Sequence, residues 1–309
     1  MDAAREGSHV APGCEAMKIL TIFLRHGERK FPGSEARLEE LFQRQMPEVQ
    51  RDTVVVDTTL PPGHREQTGP ERAVLGADNS FSEFSAADVA LAWTGSRIWS
   101  YDLVHLATAA FSTLYVRYLE RFDMRMLRAI AGRPACVGHI DCYNEPIGML
   151  SHYSQHWVRT SFLFLPPAEL MALGSLVSFR GDGRIFSGNP AQPFRPDAPL
   201  SANYRRYIYD WLTGKDIGQA MTWHSGFHLT RETLPEFERK AMAILNEHLF
   251  AIRLRALGCR VVDTTWLATQ IAAGREDVPW TAGWREQLAT RDTDPLQLDA
   301  RSAPAATAS

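Results

Sequence analysis

The chain has 309 residues, of which 45% are hydrophobic, with a formal net charge of −3 and a pI near 6.4. This is enough apolar material for one large α/β domain or two small ones, and the charge gives no general basis for binding nucleic acid, which needs a concentrated basic surface. The four cysteines are spaced too widely for paired CxxC motifs, which indicates a reduced, cytoplasmic protein rather than a disulfide scaffold. No stretch approaches the roughly 20 apolar residues of a membrane-spanning helix, although loose attachment to a membrane surface stays open.

The first predicted elements alternate between strand and helix. Residues 1–16 are sparse in apolar side chains and are expected to be a disordered lead, so the working domain is placed at residues 17–275. Residues 18–24 predict a strand, 37–45 a helix and 53–57 a second strand that ends in Asp57. The stretch 60–70 is dense in Pro and Gly and predicts an exposed loop.

The alternation continues through the middle of the chain. Residues 73–75 and 102–106 predict short buried strands, while 84–93 and 114–130 predict helices. Strands that alternate with helices imply a mainly parallel sheet flanked by helices. The expected fold class is therefore α/β with an open, Rossmann-like sheet.

The second half is less regular. Further predicted elements are strands at 135–138, 161–165 and 260–263, helices at 168–176 and 234–257, and a long Gly- and Pro-rich loop at 181–203. We expect Trp211, Trp223 and Trp266 in the core. Residues 285–309 end in a low-complexity run and are expected to be an unstructured tail.

The first hundred residues resemble a known enzyme family. The segment Leu38-Glu-Glu-Leu-Phe-Gln-Arg-Gln-Met-Pro47, followed by Val54-Val-Val-Asp57, resembles the opening of family-2-type glycosyltransferases with the GT-A fold. The run Gly76 to Asp88 is similar to that family's Asn-rich turn into a helix, and Tyr101 to Leu106 to the strand before its metal motif. The resemblance covers residues 17–115, with a looser similarity to 176, and implies a GT-A-like architecture of polysaccharide-assembly type.

One family motif is missing. Where the family carries Asp-x-Asp, which would bind a divalent cation bridging the donor diphosphate, this chain has Ala107-Thr-Ala109. Without those carboxylates the site for a hard cation is absent. The resemblance then implies a metal-independent transferase without a cofactor, in which cationic side chains and helix N-termini neutralise the diphosphate.

The resemblance also implies a donor site. Asp57 would hold the base of a nucleotide-sugar, Asp78 and Asn79 would bind ribose or sugar hydroxyls, Thr108 would stand at the vacated metal position, and Arg25 would meet phosphate. For Asp57 the structural alternative is a cap at the strand end or a salt bridge. For Asn79 a turn residue that satisfies its own backbone is an equal alternative.

Transfer needs a base that takes the proton of the acceptor hydroxyl. The candidates are Asp141, Glu145 and His156, within a polar segment that also holds His139 and His152. The acceptor would be a glycan or a lipid-linked sugar, with Trp157 beside it. Hydrogen bonding within a loop is the alternative for each of these residues taken singly.

Two other functions stay open. The motif Arg25-His26-Gly27 at the end of the first strand resembles the phosphate-binding start of histidine phosphatases, in which the His is the nucleophile, although no second Arg and late His complete the pattern. A non-catalytic scaffold with a glycosyltransferase fold is the third possibility, and the missing acidic pair is its main support.

Overall fold

The computed structural model describes residues 16–113, 116–214, 226, 228–275 and 282–292. These residues form an α/β structure around one eight-stranded open sheet with helices on both faces. The predicted α/β class with an open, mainly parallel sheet is confirmed. Within these residues no helix is both long and apolar enough to cross a bilayer. The lead lies almost entirely outside the described residues.

The strands are β1 (Lys18–Arg25), β2 (Gln50–Asp57), β3 (Arg65–Gly69), β4 (Arg72–Gly76), β5 (Leu103–Thr108), β6 (Ala135–Met149), β7 (His152–Leu165) and β8 (Arg260–Asp263). The helices are α1 (Ser34–Gln45), α2 (Glu83–Thr94), α3 (Met124–Ile130), α4 (Pro167–Ala172), α5 (Ala202–Thr213), α6 (Leu234–Ala256), α7 (Thr264–Ala272) and α8 (Trp284–Asp292). Short 3₁₀ turns cover Gly95–Ser100 and Val116–Arg121.

The order of strands across the sheet is β3-β4-β2-β1-β5-β7-β6-β8. Strand β1 pairs in parallel with both β2 and β5, and β6 pairs in parallel with β8. Only β3 and β7, among the strands of the described residues, run antiparallel to their neighbours. The chain first builds outward from β1 through β2 and then returns to place β5 on the other side, so the direction of winding reverses between β1 and β5.

Alternation along β1 distributes its side chains between two cores. Leu20, Ile22 and Leu24 face the core shared with α2, α5 and α6, while Ile19 and Phe23 face the core shared with α1, α3 and α7. Burial on both faces explains why the strand is a nearly continuous apolar run. The sheet is thus fixed between two helical layers.

Several differences from the sequence-based expectations have local causes. The loop expected at 60–70 contains β3, an edge strand whose side chains are polar and largely exposed, so it lacks an apolar signal. Gly76 ends β4 under that loop, and a Cβ there would lie 2.1 Å from the carbonyl oxygen of Pro61. Where a helix is expected over 114–130, the described residues from 116 onward form a 3₁₀ turn and α3, separated at Asp123, whose side chain accepts a 2.8 Å hydrogen bond from the amide of Met126.

The C-terminal part also differs. Helix α8 begins at the border of the expected tail, and its buried Gln287 accepts a 2.7 Å hydrogen bond from the Asp263 amide, which ties the helix to β8. Residues 285–292 of the predicted tail are therefore helical. Trp266 is buried as expected, Trp223 lies outside the described residues, and Trp211 is half-buried beside a cavity.

Candidate functional site

A cavity of about 620 Å³ opens at the carboxyl edge of the parallel strands. It lies where β1 and β5 end, at the point where the winding of the sheet reverses, which is where open α/β sheets bind ligands. Its volume is within the roughly 300–1,000 Å³ of small-molecule sites. Strands β6 and β7, the start of α2, helix α5 and one face of α6 complete the wall.

At the end of β1, Arg25 and Asp57 are bound to each other. The Arg25 Nε donates to Asp57 Oδ2 at 2.8 Å, and its Nη1 donates to Glu28 at 2.9 Å and to Glu35 at 3.4 Å. Arg25 lines the cavity, but three carboxylates already surround its guanidinium. A phosphate at this position would meet a locally negative cluster.

Asp57, at the end of β2, is buried and does not line the cavity. Its Oδ1 accepts hydrogen bonds from the Gly27 amide at 3.0 Å, the Thr59 amide at 2.9 Å and the Thr59 hydroxyl at 2.7 Å. Although burial opposes ionisation, these donors together with Arg25 lower the pKa of Asp57. The contacts are those of the alternative in which the carboxylate caps the strand end, and its role toward a nucleotide base stays a prediction.

The predicted pair Asp78 and Asn79 is divided by the cavity rim. Asn79 lines the cavity, whereas Asp78 is exposed and accepts from the Ser80 amide at 2.9 Å and the Ser80 hydroxyl at 2.5 Å. These hydrogen bonds to Ser80 lower the Asp78 pKa. The structure therefore brings only Asn79 of this pair to the cavity.

The position of the missing acidic pair is also in the wall. Thr108 ends β5 and lines the cavity, while Ala107 and Ala109 on either side are buried. The cavity thus meets the Thr108 hydroxyl and the Ala109 methyl group where the family resemblance would place carboxylates, and Ala107 is packed in the hydrophobic core. Thr108 and Arg25 share one end of the cavity because β5 and β1 are paired neighbours.

Of the three predicted bases, Asp141 reaches the cavity. It forms an ion pair with Arg159 across the β6/β7 hairpin, with Nε to Oδ2 at 2.5 Å, and His139 lies 3.5 Å from its other oxygen. Burial would raise the Asp141 pKa, but the charge of Arg159 and the hydrogen bond from His139 outweigh burial and hold it well below its usual range. A carboxylate so stabilised is a weak proton acceptor.

The other two predicted bases lie elsewhere. Glu145 is exposed in an irregular part of β6, where the pairing with β7 shifts between Cys142 and Ile147. His156 stacks on Trp284 at a ring distance of 5.0 Å and accepts from Arg255 at 3.1 Å. Burial and the nearby arginine charges lower the His156 pKa to about 3. Neither residue lines the cavity.

Helix α6 supplies site residues that the sequence did not reveal. Its cavity face carries Glu236, Arg239, Lys240, Glu247 and His248, spaced so that each is three, four, seven or eight positions from another. Arg239 forms a bidentate pair with Glu236, at 2.8 and 2.6 Å, and donates to the Ser82 hydroxyl at 2.9 Å. The sequence shows these only as charged residues of an amphipathic helix. Such residues ordinarily predict the solvent-exposed face of the helix, so the pattern does not distinguish a cavity wall from a solvated surface.

Two α6 side chains have pKa values near neutrality. Burial, opposed by hydrogen bonds from Thr160 and reinforced by the charge of Glu83, raises the Glu247 pKa to about 7. Burial together with the charge of Lys30 lowers the Lys240 pKa to about 8. Glu247 Oε1 accepts from the Thr160 amide at 3.0 Å and its hydroxyl at 3.1 Å. One carboxylate oxygen is thereby anchored to β7, in a cavity wall.

Aromatic side chains cover the side of the cavity nearest β6. Trp157, Tyr207 and Trp211 line it, and we call these three residues the aromatic wall. His248 also lines the cavity, with its ring 4.3 Å from that of Trp157, and its Nε2 is hydrogen-bonded to the Tyr143 hydroxyl at 3.2 Å. Burial lowers the His248 pKa to about 3, so this imidazole is neutral at physiological pH.

No protein-family model matches the chain, and no curated protein matches it in sequence. Among solved structures, the chain is similar to the mannosyltransferase PcManGT from Pyrobaculum calidifontis, whose structure is a complex with GDP-Man and Mn²⁺. The identity is 12%, the match covers 95% of this chain and 88% of that chain, and the TM-score is 0.33. A likeness this distant carries no inference about the function of this chain.

Proposed function

We propose that this protein is a glycosyltransferase, hexosyltransferase-like, that moves a sugar from a nucleotide-sugar donor to a hydroxyl of a glycan or lipid-linked acceptor. The observation that carries the proposal is the composition of one cavity at the switch point of the sheet. It combines cationic side chains with Glu247, a carboxylate whose pKa of about 7 suits a base. The resemblance in the first hundred residues supports the same class of reaction.

We place the donor at the end of the cavity where β1 and β5 end. Asn79 and Thr108 would hydrogen-bond its hydroxyl groups, and Lys30 and Lys240 would offset the charge of its diphosphate, since all four line the cavity. Carboxylates for a divalent cation are missing at Ala107 and Ala109, so we assign the neutralisation of the diphosphate charge to cationic side chains. This is the basis for proposing metal independence.

The proton of the acceptor is assigned to Glu247. The acceptor oxygen attacks the anomeric carbon, the bond from that carbon to the diphosphate breaks, and the proton of the attacking hydroxyl passes to the carboxylate. A base with a pKa near the working pH combines a large ionised fraction with good proton affinity. Asp141, held ionised by Arg159, has much lower affinity for a proton.

The family resemblance also suggests the cellular setting of the reaction. We further propose that the reaction belongs to polysaccharide assembly in the cytoplasm, with peripheral contact to a membrane that presents the acceptor; this rests on that resemblance alone.

Donor binding is the first test of the proposed function. Isothermal titration calorimetry with uridine, guanosine and thymidine diphosphates, each with EDTA and with Mg²⁺, should detect at least one ligand, with an affinity that EDTA leaves unchanged.

The transfer step needs a matched pair of variants. Glu247→Gln keeps the size and one oxygen of the side chain but cannot accept the proton, so turnover should fall by about 10²–10⁴-fold while nucleoside diphosphate affinity changes little. Glu40→Gln, the same change on the exposed face of α1, serves as the control. Full turnover by Glu247→Gln would remove the assigned base.

The phosphatase alternative has one supporting observation, because Arg25 and His26 both line the cavity. His26 is exposed and its Nδ1 is hydrogen-bonded to the Thr58 hydroxyl at 2.8 Å. Three carboxylates around Arg25 oppose binding of a phosphate. Turnover of p-nitrophenyl phosphate that disappears in His26→Ala would establish the phosphatase, and absence of both phosphatase turnover and nucleotide binding would favour the scaffold.

A further inference from the structure

The aromatic wall is built as a preorganised surface. Tyr207 and Trp211 lie one turn apart on α5, with ring centroids 6.0 Å apart and planes inclined by only 14°. Both side chains are half-buried and line the cavity. Helix α5 packs against α6 and β6, so the two nearly parallel rings are held on regular secondary structure.

A second layer of rings fixes the wall from behind. The buried Tyr143 ring meets Tyr207 edge-on, at 4.4 Å and 90°, and packs on Trp157 at 4.6 Å. Edge-to-face geometry of this kind is favourable for aromatic pairs. Tyr143 therefore holds the rings of Tyr207 and Trp157 in position, and Trp211 stacks on Tyr207, which lowers the entropic cost of binding a ligand there.

The order of the strands separates this wall from the proposed donor position. The donor is placed at β1 and β5, whereas Tyr207 and Trp211 belong to the helix that packs on β6, with β7 between β5 and β6. Glu247 is bonded to Thr160 of that intervening strand. The proposed base is thus bonded to the strand that lies between the donor end and the helix carrying Tyr207 and Trp211, and Trp157 of the aromatic wall belongs to that same strand.

We propose that the aromatic wall is a subsite for a pyranose ring of a carbohydrate acceptor. This inference rests on the proposed function and names the chemistry of its second substrate. A pyranose presents C–H groups on its faces and hydroxyls around its edge; the C–H groups suit the electron-rich faces of aromatic rings. Asp141 and Arg159, in the same cavity, are polar groups of the kind that satisfy ring hydroxyls.

The composition of the cavity favours a sugar ring over a lipid chain. The aromatic wall stands beside an ion pair and a carboxylate, Asp141–Arg159 and Glu247, and an alkyl chain there would desolvate charged groups without satisfying them. A pyranose buries its faces and keeps hydrogen bonds at its edge. A nucleobase would also stack, so the test distinguishes the two.

The experiment is saturation-transfer difference NMR with methyl glycosides of mannose, glucose and galactose. Each is titrated into the full-length protein in the presence of the tightest nucleoside diphosphate. Variants are Trp211→Leu, which keeps apolar bulk but removes the aromatic face, Trp211→Phe, which restores a ring, and Trp99→Ala as control. Trp99 is 59% exposed and outside the cavity.

We expect at least one glycoside to bind wild type through its ring C–H protons. Trp211→Leu should weaken that binding about tenfold or more, Trp211→Phe should recover part of it, and Trp99→Ala should leave it unchanged. Nucleoside diphosphate affinity should stay within about twofold in all three, which also shows that the variants are folded.

Equal glycoside affinity in Trp211→Leu and wild type would overturn the inference, as would failure of every glycoside to bind wild type. Loss of nucleotide affinity in Trp211→Leu, with the glycoside unaffected, would assign the wall to the nucleobase and equally overturn it. Glycoside binding that depends on Trp211 in a protein that binds no nucleoside diphosphate has a different meaning. It would sustain the carbohydrate subsite and refute the glycosyltransferase.

Discussion

Replacement of Glu247 by Gln should change how the stability of the protein depends on pH. In the folded state the carboxyl pKa is raised from 4.5 to about 7, which corresponds to about 3 kcal/mol of destabilisation of the ionised form. A raised folded pKa contributes stability that is complete below the unfolded pKa and is lost as the pH rises through the folded value. Between about pH 5.5 and pH 8.5 linkage gives a loss of about 2 kcal/mol, and we expect about 1–2 kcal/mol because solvent reaches the cavity.

The assay is urea unfolding of wild type and Glu247→Gln at several pH values, analysed as the difference between the two proteins. Gln is neutral throughout and can still accept the hydrogen bond from Thr160, so the free energy of unfolding of wild type should fall relative to the variant as the pH rises. Groups that titrate equally in both proteins cancel in that difference. A difference that stays flat with pH, or that matches Glu40→Gln, would refute the electrostatic account of Glu247.

Three further outcomes are expected. The rate of transfer should rise with pH through about 7, as Glu247 loses its proton, and fall above about 8, as Lys240 loses its charge. A rate that does not vary between pH 6 and 9 would contradict both assignments. In thermal denaturation, Gly76→Ala should be destabilising by about 2 kcal/mol or more, since its Cβ would overlap a loop carbonyl, whereas Gly69→Ala has open space around it and should cost little. Asp57→Asn should lower the free energy of unfolding by about 2–4 kcal/mol, because the amide cannot serve all of the donors that the carboxylate serves; nucleotide affinity lost with unchanged stability would instead support the donor role of Asp57.

The sheet could be predicted to a large extent because its signals are local. The apolar run of β1 and the strand ending at Asp57 are each visible within a short window, and their alternation with helices specifies a parallel arrangement. The β6/β7 hairpin was only partly visible, because its polar half, which carries Glu145 and His152, has the composition of a loop. Helix α5 lies in a stretch whose polar residues, Arg205 and Arg206 among them, obscure the buried Tyr204 and Ile208.

The site was harder to predict because its members are distant in sequence. Thr160 and Glu247 are 87 residues apart and become partners only when α6 packs on β7. Asp141 was accessible to prediction since it follows the predicted strand 135–138; in the structure β6 continues through it, and it does line the cavity. No pattern near Glu247 distinguishes it from the other acidic residues of α6. Its pKa is set by burial against β7, and that strand is distant in the sequence.

Asp141 and Glu247 illustrate how one cavity assigns different tasks to two carboxylates. Both are partly buried, yet Arg159 and His139 hold Asp141 ionised, while burial and the charge of Glu83 favour the protonated form of Glu247. Environments that drive two pKa values apart separate a fixed charge from a proton-transfer group. On this reasoning Asp141→Asn should disturb the placement of Arg159 and weaken substrate binding, whereas Glu247→Gln should slow the chemical step and leave binding intact. The two variants are therefore expected to differ in KM and kcat, respectively, and if Asp141→Asn lowered kcat alone the assignment of the base would have to be reversed.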